Sequence, residues 1–157
     1  MLALGITIAV MIMIILGMPK RLTLAEYYIT SLFAFLLNAT ADFSLNLQHD
    51  YYGYFKEGVD IEGYLIVYVI GPCINILYLN FFPRTRGIGT QVLYLLVWCL
   101  FSIAYEVYVA LPNGMIYYNK WKWWYSAITY PLLFFILAAH WSWVRTKLLK
   151  LQKAQDK

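Results

Sequence analysis

Two acidic residues stand in stretches of the chain that are otherwise apolar, and they are the residues best placed to do chemistry. Glu106 is the only charged residue between Arg86 and Lys120, and Asp42 lies in a similar apolar run. A carboxylate at the depth of lipid tails costs roughly 2.5–3.5 kcal/mol to insert, so it normally faces protein, water or a ligand. Two such acids can hold a cation, a proton or an amine, or they can fix the packing of neighbouring helices.

Each acid belongs to a row of polar residues at helical spacing. The first row is Ser31, Asn38, Asp42, Asn46 and His49, and the second is Gln91, Trp98, Ser102 and Glu106. Steps of three, four and seven residues lie on one face of an α-helix. Because lipid cannot satisfy polar groups, these faces should turn toward each other or toward a cavity. We therefore predict one polar pocket that holds Asp42 and Glu106, with Asn38, Asn46 and Ser102 beside them.

The elements that must position these residues are predicted to be transmembrane helices. The chain has 157 residues, of which 62% are hydrophobic and only 13% are charged, and its mean hydropathy is +0.62. A soluble domain is about 45–50% apolar and about 25% charged. Segments long enough to cross about 30 Å of hydrocarbon lie near 2–18, 27–47, 62–82, 88–111 and 123–144. The sequence predicts an all-α integral membrane bundle of five transmembrane helices, with one domain over residues 1–157 and a basic tail at 145–157.

The basic residues predict the orientation, because Lys and Arg in short loops stay on the cytoplasmic side. An outside N-terminus puts nine of the twelve Lys and Arg residues in the cytoplasm: Lys20, Arg21, Arg84, Arg86, Arg145, Lys147, Lys150, Lys153 and Lys157. Lys56, Lys120 and Lys122 fall outside. We predict a multi-pass cell-membrane protein with a cytoplasmic C-terminus, whose two acids lie in the outer half. Its basic tail anchors the topology and attracts anionic lipid head groups.

The segment before the last apolar run is rich in aromatic residues, namely Tyr117, Tyr118, Trp121, Trp123, Trp124 and Tyr125. An aromatic belt at the membrane–water boundary explains most of them. Lys120 and Lys122 stand at the mouth of the predicted pocket, so either ammonium group could pair with an acid there. The indole N–H groups of this segment, such as those of Trp121 and Trp124, and its Tyr hydroxyl groups could also donate to a carboxylate there.

Motifs for catalysis and for metal binding are not found in the sequence. Cys73 and Cys99 have no metal-type spacing, and we interpret them as buried apolar thiols. His49 and His140 lie near opposite ends of the predicted bundle, so they cannot share a metal ion. Pro72 predicts a kink in the third apolar segment. We expect no catalytic set, no metal site and no nucleic-acid partner, and we leave any cofactor open.

The order of these elements carries a family resemblance. A carboxylate late in the second segment precedes a Tyr-rich loop, an Asn-Phe-Phe-Pro boundary ends the third at Pro83, and Trp-x-x-Trp-x-Ser opens the last helix from Trp121. Over roughly residues 25–140 the chain resembles an uncharacterised family of small multi-spanning membrane proteins of endospore-forming Firmicutes. Family members often have Gly where this chain has Lys120. The resemblance implies a bacterial membrane protein and this topology, and it implies no activity.

Three kinds of function are open on these observations. We favour a structural or interaction component of the cell membrane, which assembles with itself or with another membrane complex and uses its buried acids to set the packing. The alternative is a binding or transport protein in which Asp42 and Glu106 hold a cation, a proton or an amine-bearing solute between Trp and Tyr walls. An intramembrane enzyme has the least support, because neither a nucleophile nor a metal set accompanies the acids.

Overall fold

The structure, a computed structural model, describes residues 1–58 and 61–155. Its helices are α1 (Leu2–Gly17), α2 (Leu24–Gln48), α3 (Ile61–Asn80), α4 (Ile88–Ala110) and α5 (Trp123–Gln155), and its strands are β1 (Tyr52–Tyr54) and β2 (Ile116–Tyr118). The predicted all-α class is confirmed, with the addition of a two-stranded ribbon that the sequence analysis did not predict. Lys157, one of the nine basic residues predicted to be cytoplasmic, lies outside the described residues.

Helix lengths separate α1 from the others. Among the described residues, α2, α3, α4 and α5 are long and apolar enough to cross a membrane. α1 is apolar but has 16 residues, which is about 24 Å at 1.5 Å per residue. The outward faces carry large apolar side chains such as Leu93, Leu100 and Phe135, which are 62%, 67% and 62% exposed. Apolar area of this extent marks a surface that meets lipid or another protein.

Polar side chains determine where α2 begins. Thr23 Oγ1 accepts the N–H of Glu26 at 3.2 Å, and Glu26 Oε2 accepts the N–H of Thr23 at 2.8 Å. This capping box satisfies amide groups at the helix N-terminus that have no partner within the helix. The loop before it is held by Asn80 of α3, whose Oδ1 accepts the N–H of Arg21 at 2.9 Å.

Within the described part of the chain, three helices widen into π-helical segments, at Phe43–Gln48 in α2, Ile66–Ile70 in α3 and Glu106–Ala110 in α4. In α3 the segment ends directly before Gly71 and Pro72. Proline lacks an N–H, and its ring collides with the carbonyl group four residues earlier. A wider turn moves that carbonyl group away from the ring, and the structure has a π segment directly before Pro72, where the sequence predicted a kink.

The helices form a bundle in which α2 packs against α3 and α5, α4 packs along α5, and α1 packs on α3. Tyr78 of α3 is fully buried in the core, with its ring centroid 4.7 Å from that of Phe134 and 5.5 Å from that of Tyr94. Since successive helices alternate in direction, β1 and β2 lie at one end, which we call the ribbon end. The loops after α1 and α3 lie at the other end, which we call the arginine end.

Candidate functional site

The ribbon covers one end of the bundle. Its strands pair antiparallel, with Tyr52 opposite Tyr118 and Tyr54 opposite Ile116. Directly opposed residues of a ribbon share a face, and these four side chains line the cavity beneath it. Gly53 is on the other face, where a Cβ would lie only 2.2 Å from the hydroxyl oxygen of Tyr117. Glycine at this position therefore lets the Tyr117 ring lie over the strand.

Main-chain hydrogen bonds hold the chain that follows β2. The carbonyl oxygen of Tyr51 accepts the N–H groups of Asn119, Lys120 and Trp121 at 3.0, 2.9 and 2.8 Å. These bonds bring Trp121 to the rim of the cavity, where its indole N–H donates to Ser126 Oγ at 2.9 Å. The short connection between β2 and α5 is thereby tied to both the ribbon and the helix.

Glu106 lies beneath the ribbon at the first position of the π segment of α4, and only 4% of it is exposed. Its Oε1 accepts hydrogen bonds from the Tyr118 hydroxyl and, at 2.7 Å, from the Ser126 hydroxyl. Its Oε2 accepts a hydrogen bond from the Tyr130 hydroxyl. Side-chain hydroxyl groups of β2 and α5 therefore occupy the places around this carboxylate that water would otherwise take.

The cavity beside Glu106 has a volume of about 230 Å³ and walls that are mostly apolar and aromatic. The rings of Tyr52, Tyr105, Trp121 and Tyr130 contribute to these walls. Among the residues that the structure describes, no Lys, Arg or His side chain lines the cavity. The carboxylate of Glu106 is therefore not matched by a basic group in the cavity wall.

Asp42 lines a neighbouring cavity of about 160 Å³ and not the cavity of Glu106. Asn46 Nδ2 donates to Asp42 Oδ1 at 3.3 Å, and the hydroxyl groups of Tyr52 and Tyr54 hydrogen-bond to the same carboxylate. Tyr54 lines both cavities. The two acids thus lie in adjacent cavities. The β1 tyrosines lie between these cavities, and Tyr54 contributes to the wall of each.

The ribbon tyrosines keep their protons beside these acids. Burial raises the pKa of Tyr52, and the negative charge of Asp42 raises it further. Burial likewise raises the pKa of Tyr54. Burial also raises the pKa of Tyr118, to which its hydrogen bond to Glu106 adds. Because a protonated phenol is a hydrogen-bond donor, all three remain donors over the ordinary pH range.

Of the other residues predicted for the pocket, Asn38 and Trp121 line the cavity of Glu106, and Asn46 bonds to Asp42. Ser102 is not part of the cavity wall, although its carbonyl oxygen accepts the N–H of Glu106.

Lys120 and Trp124 line neither the cavity of Glu106 nor that of Asp42. Lys120 Nζ donates to the carbonyl oxygen of His49 at 3.3 Å. Trp124 is 42% exposed, and its ring centroid lies 3.9 Å from that of Tyr125. The predicted pairing of Lys120 with an acid is therefore replaced by a bond to the backbone of the preceding loop.

Of the hydroxyl groups that surround the acids, that of Tyr118 belongs to the segment whose Tyr hydroxyl groups were predicted as possible donors, whereas those of Tyr52, Tyr54, Ser126 and Tyr130 were not predicted. Ser126 and Tyr130 are four residues apart in α5, and this spacing puts both on one helical face. That signal could have identified the pair. The ribbon tyrosines meet the acids only because β1 pairs with a distant strand, and no local pattern reports such pairing.

A second buried acid, also missed, lies at the arginine end. Glu26 is 1% exposed, its Oε1 accepts the indole N–H of Trp141 at 3.1 Å, and the same oxygen lies 3.6 Å from Nη1 of Arg145. The spacing of Thr23 and Glu26 matches a capping box and could have identified it. Glu26 thereby links the start of α2 to the last helix.

The chemistry available at the ribbon end is the binding of a positive group by Glu106 between aromatic walls. Among the described residues, no group of three or more His, Cys, Asp or Glu side chains is placed to hold a metal ion. Cys73 is half-buried and Cys99 is buried, both as free thiols. Comparison of the chain with protein-family models, with curated proteins and with solved structures finds no match.

Proposed function

We propose that this chain is a multi-pass membrane protein that binds a small ammonium compound in the cavity beside Glu106. The observation that carries the proposal is the buried carboxylate of Glu106 at a cavity whose described wall holds no basic side chain. A cation in this cavity would meet both the negative charge and the faces of Tyr and Trp rings, which attract cations.

The hydrogen bonds of Glu106 favour a particular kind of cation. A carboxylate has about four acceptor positions, and hydroxyl groups of Tyr118, Ser126 and Tyr130 already occupy three of them. A primary ammonium group, with three N–H donors to satisfy, would find too few acceptors. A quaternary ammonium group has no donor and needs only charge and ring contact. The volume of about 230 Å³ is several times the roughly 30 Å³ that one water molecule occupies, which suits a compound of the size of choline.

The binding test is the thermal stability of the full chain in a neutral detergent, with choline as the probe. We expect choline to raise the unfolding midpoint, because a ligand at one hundred times its dissociation constant stabilises by about 2.7 kcal/mol. Its uncharged isostere, 3,3-dimethylbutan-1-ol, should not do so. Glu106→Gln should abolish the shift, and Glu57→Gln, which removes the same charge from an exposed loop position, should leave it intact.

Two outcomes in which choline does stabilise the protein would still contradict this binding role. One is a choline shift that Glu106→Gln leaves unchanged, because the carboxylate would then not be part of the site. The other is equal stabilisation by choline and by its neutral isostere, because charge would then play no part. If neither choline nor tetramethylammonium stabilises the unaltered protein, the proposal is wrong.

We further propose that all five helices lie in the cell membrane, with the ribbon end and the N-terminus outside and the arginine end in the cytoplasm. The support is the placement of Arg21, Arg84, Arg86 and Arg145 around one end of the bundle, as expected for the cytoplasmic side. α1 is short for a span, and local thinning of the bilayer accommodates such a helix at modest cost.

Labelling with a membrane-impermeant maleimide tests this orientation. In a chain carrying Cys73→Ser and Cys99→Ser, new cysteines are placed at two exposed loop positions, Asn113→Cys at the ribbon end and Thr85→Cys at the arginine end. We expect the first to react in intact cells and the second only after lysis. The reverse pattern would invert the topology.

A structural or interaction role in the membrane is the second candidate, and the observation that favours it is the way Glu106 joins β2 to α5 through hydroxyl groups. This role predicts that Glu106→Gln or Asp42→Asn changes the oligomeric mass in detergent, and an unchanged mass argues against it. We also propose that the chain belongs to the Firmicutes family that it resembles and that its basic tail attracts anionic lipids.

A further inference from the structure

An open cavity of about 950 Å³ lies at the arginine end, between α4, α5 and the loops after α1 and α3. Arg21, Arg84, Arg86 and Arg145 line it. The loop that carries two of them is held in place by Gln91, whose Nε2 donates to the carbonyl oxygens of Arg84 and Arg86 at 3.1 and 2.9 Å. These arginines therefore stand on anchored backbone around a common space.

The positive charge of this cavity exceeds the negative charge beside it. The guanidinium carbons of Arg84 and Arg145 lie 5.8 and 5.4 Å from the centroid of the Trp141 ring, so the two groups gather around one side chain. Glu26 lies beside Arg145, but among the described residues no Asp or Glu side chain lines the cavity itself. A concave surface of one charge sign attracts the opposite charge, and the planar fork of Arg matches the geometry of phosphate.

The cavity wall also has an apolar part that leads out of it. Leu93 and Val97 of α4 line the cavity and are 62% and 55% exposed on the outward face of that helix. They stand one helical turn apart, so they form a continuous apolar strip along the helix axis. A soluble phosphate compound would leave this strip uncovered, whereas an acyl chain attached to the phosphate would lie along it.

We propose that this cavity binds the head group of an anionic phospholipid, with its phosphate held by Arg84, Arg86 and Arg21 and an acyl chain lying against Leu93 and Val97. The site differs from the general attraction of lipid by the basic tail, since Lys147 and Lys150 are not part of the cavity wall. The inference rests on the proposed membrane location of the chain and is independent of ammonium binding at the ribbon end.

Native mass spectrometry of the full chain in neutral detergent tests the site. The probes are dioctanoyl phosphatidylglycerol, dioctanoyl phosphatidylcholine, dioctanoylglycerol and inorganic phosphate. We expect the phosphatidylglycerol to bind at least tenfold more tightly than each of the others, because only it joins a net negative phosphate group to an acyl chain. Inorganic phosphate separates a lipid site from a site for free phosphate.

Matched variants separate the cavity from the tail. The double substitution Arg84→Gln with Arg86→Gln and the double substitution Lys147→Gln with Lys150→Gln remove the same charge. We expect the first to weaken phosphatidylglycerol binding at least tenfold and the second less than twofold. Arg84→Lys with Arg86→Lys keeps the charge, loses the planar fork, and should weaken binding by an intermediate factor. Arg145 is left unaltered, because its removal would leave the buried Glu26 without its cation.

Three outcomes would overturn the inference. Equal weakening by the cavity and tail variants would show that only overall charge matters. Binding of phosphatidylcholine or inorganic phosphate as tight as that of phosphatidylglycerol would exclude an anionic-lipid site. If a cavity variant has the same unfolding midpoint as the unaltered chain and binds phosphatidylglycerol as tightly, the lipid must bind elsewhere. Recovery of the chain in the soluble fraction without detergent would instead refute the membrane location, before any lipid is added.

Discussion

Replacing Tyr130 with phenylalanine tests whether the Glu106 carboxylate and the α5 hydroxyl group act as one energetic unit. The substitution removes the hydroxyl group and keeps the ring, whose centroid lies 6.5 Å from that of Phe134. The substitution removes the hydroxyl group that donates to Glu106 Oε2, and Glu106 is only 4% exposed. A hydrogen bond to a charged group contributes roughly 1.5–3 kcal/mol. We therefore expect Tyr130→Phe to lower the free energy of unfolding by about 2 kcal/mol.

A double-mutant cycle isolates the pairwise contribution. In a Glu106→Gln chain the partner of Tyr130 is neutral, and a neutral hydrogen bond contributes only about 0.5–1.5 kcal/mol. The same Tyr130→Phe change should then cost about 1 kcal/mol less than in the unaltered chain. Tyr108→Phe is the matched control, since Tyr108 is 78% exposed on the same helix as Glu106 and its hydroxyl group should contribute little.

The measurement is reversible unfolding of the full chain in mixed detergent micelles, followed by tryptophan fluorescence as the denaturing detergent is increased. Losses that add to within about 0.5 kcal/mol would show that Glu106 and Tyr130 are not coupled. Such a result would refute the assignment of the α5 hydroxyl group as a donor to this carboxylate. A loss of similar size in Tyr108→Phe would show that the ring, and not the contact with Glu106, responds to the change.

Other predictions follow from the two buried acids and the ribbon. Trp141 is 2% exposed and donates to Glu26, so Trp141→Phe should lower the free energy of unfolding by about 2–3 kcal/mol. Trp143 is 61% exposed, so the control Trp143→Phe should change the free energy of unfolding by less than about 0.5 kcal/mol. Thr23→Ala removes the N-cap of α2 and should cost about 1 kcal/mol in the same unfolding assay. The pKa values of Tyr52, Tyr54 and Tyr118 are raised in the folded state from 10.0, so their stabilising contribution is complete below about pH 10 and is lost as the pH rises above it. The unfolding midpoint should therefore fall in alkali, and the fall should be shallower in Tyr52→Phe; an identical pH dependence in both chains would contradict this.

Helix positions could be predicted well from the sequence, and helix ends less well. The predicted segment 27–47 compares with α2 at Leu24–Gln48, and the predicted segment 123–144 compares with α5 at Trp123–Gln155. Long apolar runs define the middle of a helix because burial or lipid contact favours them throughout. Helix ends depend on capping groups such as Thr23 and on polar extensions such as the last turns of α5. A hydropathy profile detects neither feature.

The acids of the candidate site were predictable from the sequence, together with Asn38, Asn46 and Trp121, but most of the hydroxyl groups around the acids were not. Glu106 and Asp42 stand out because each is an isolated charge in an apolar run. Their hydroxyl partners do not, since the chain has 15 tyrosines and most can be explained as interfacial residues. Lys120 illustrates the remaining difficulty, because its flexible side chain bonds to the nearby His49 carbonyl oxygen and not to an acid. β1 and β2 are far apart in the sequence, so no local pattern predicts that they pair.

The π segment that begins at Glu106 holds one residue more than a regular helical turn would. The N–H of Leu111 donates to the carbonyl oxygen of Glu106 at 2.9 Å, five residues earlier, where a regular helix would close the bond over four. Deleting one residue between 107 and 109 would allow the regular turn to return, and because the wide turn absorbs the extra residue, the chain that follows would keep nearly the same place relative to Glu106. The same deletion in the regular part of α4, within 88–105, would instead turn Glu106 by about 100° and shift it by about 1.5 Å relative to the preceding turns. A single-residue deletion should therefore be tolerated better in the π segment than in the rest of α4.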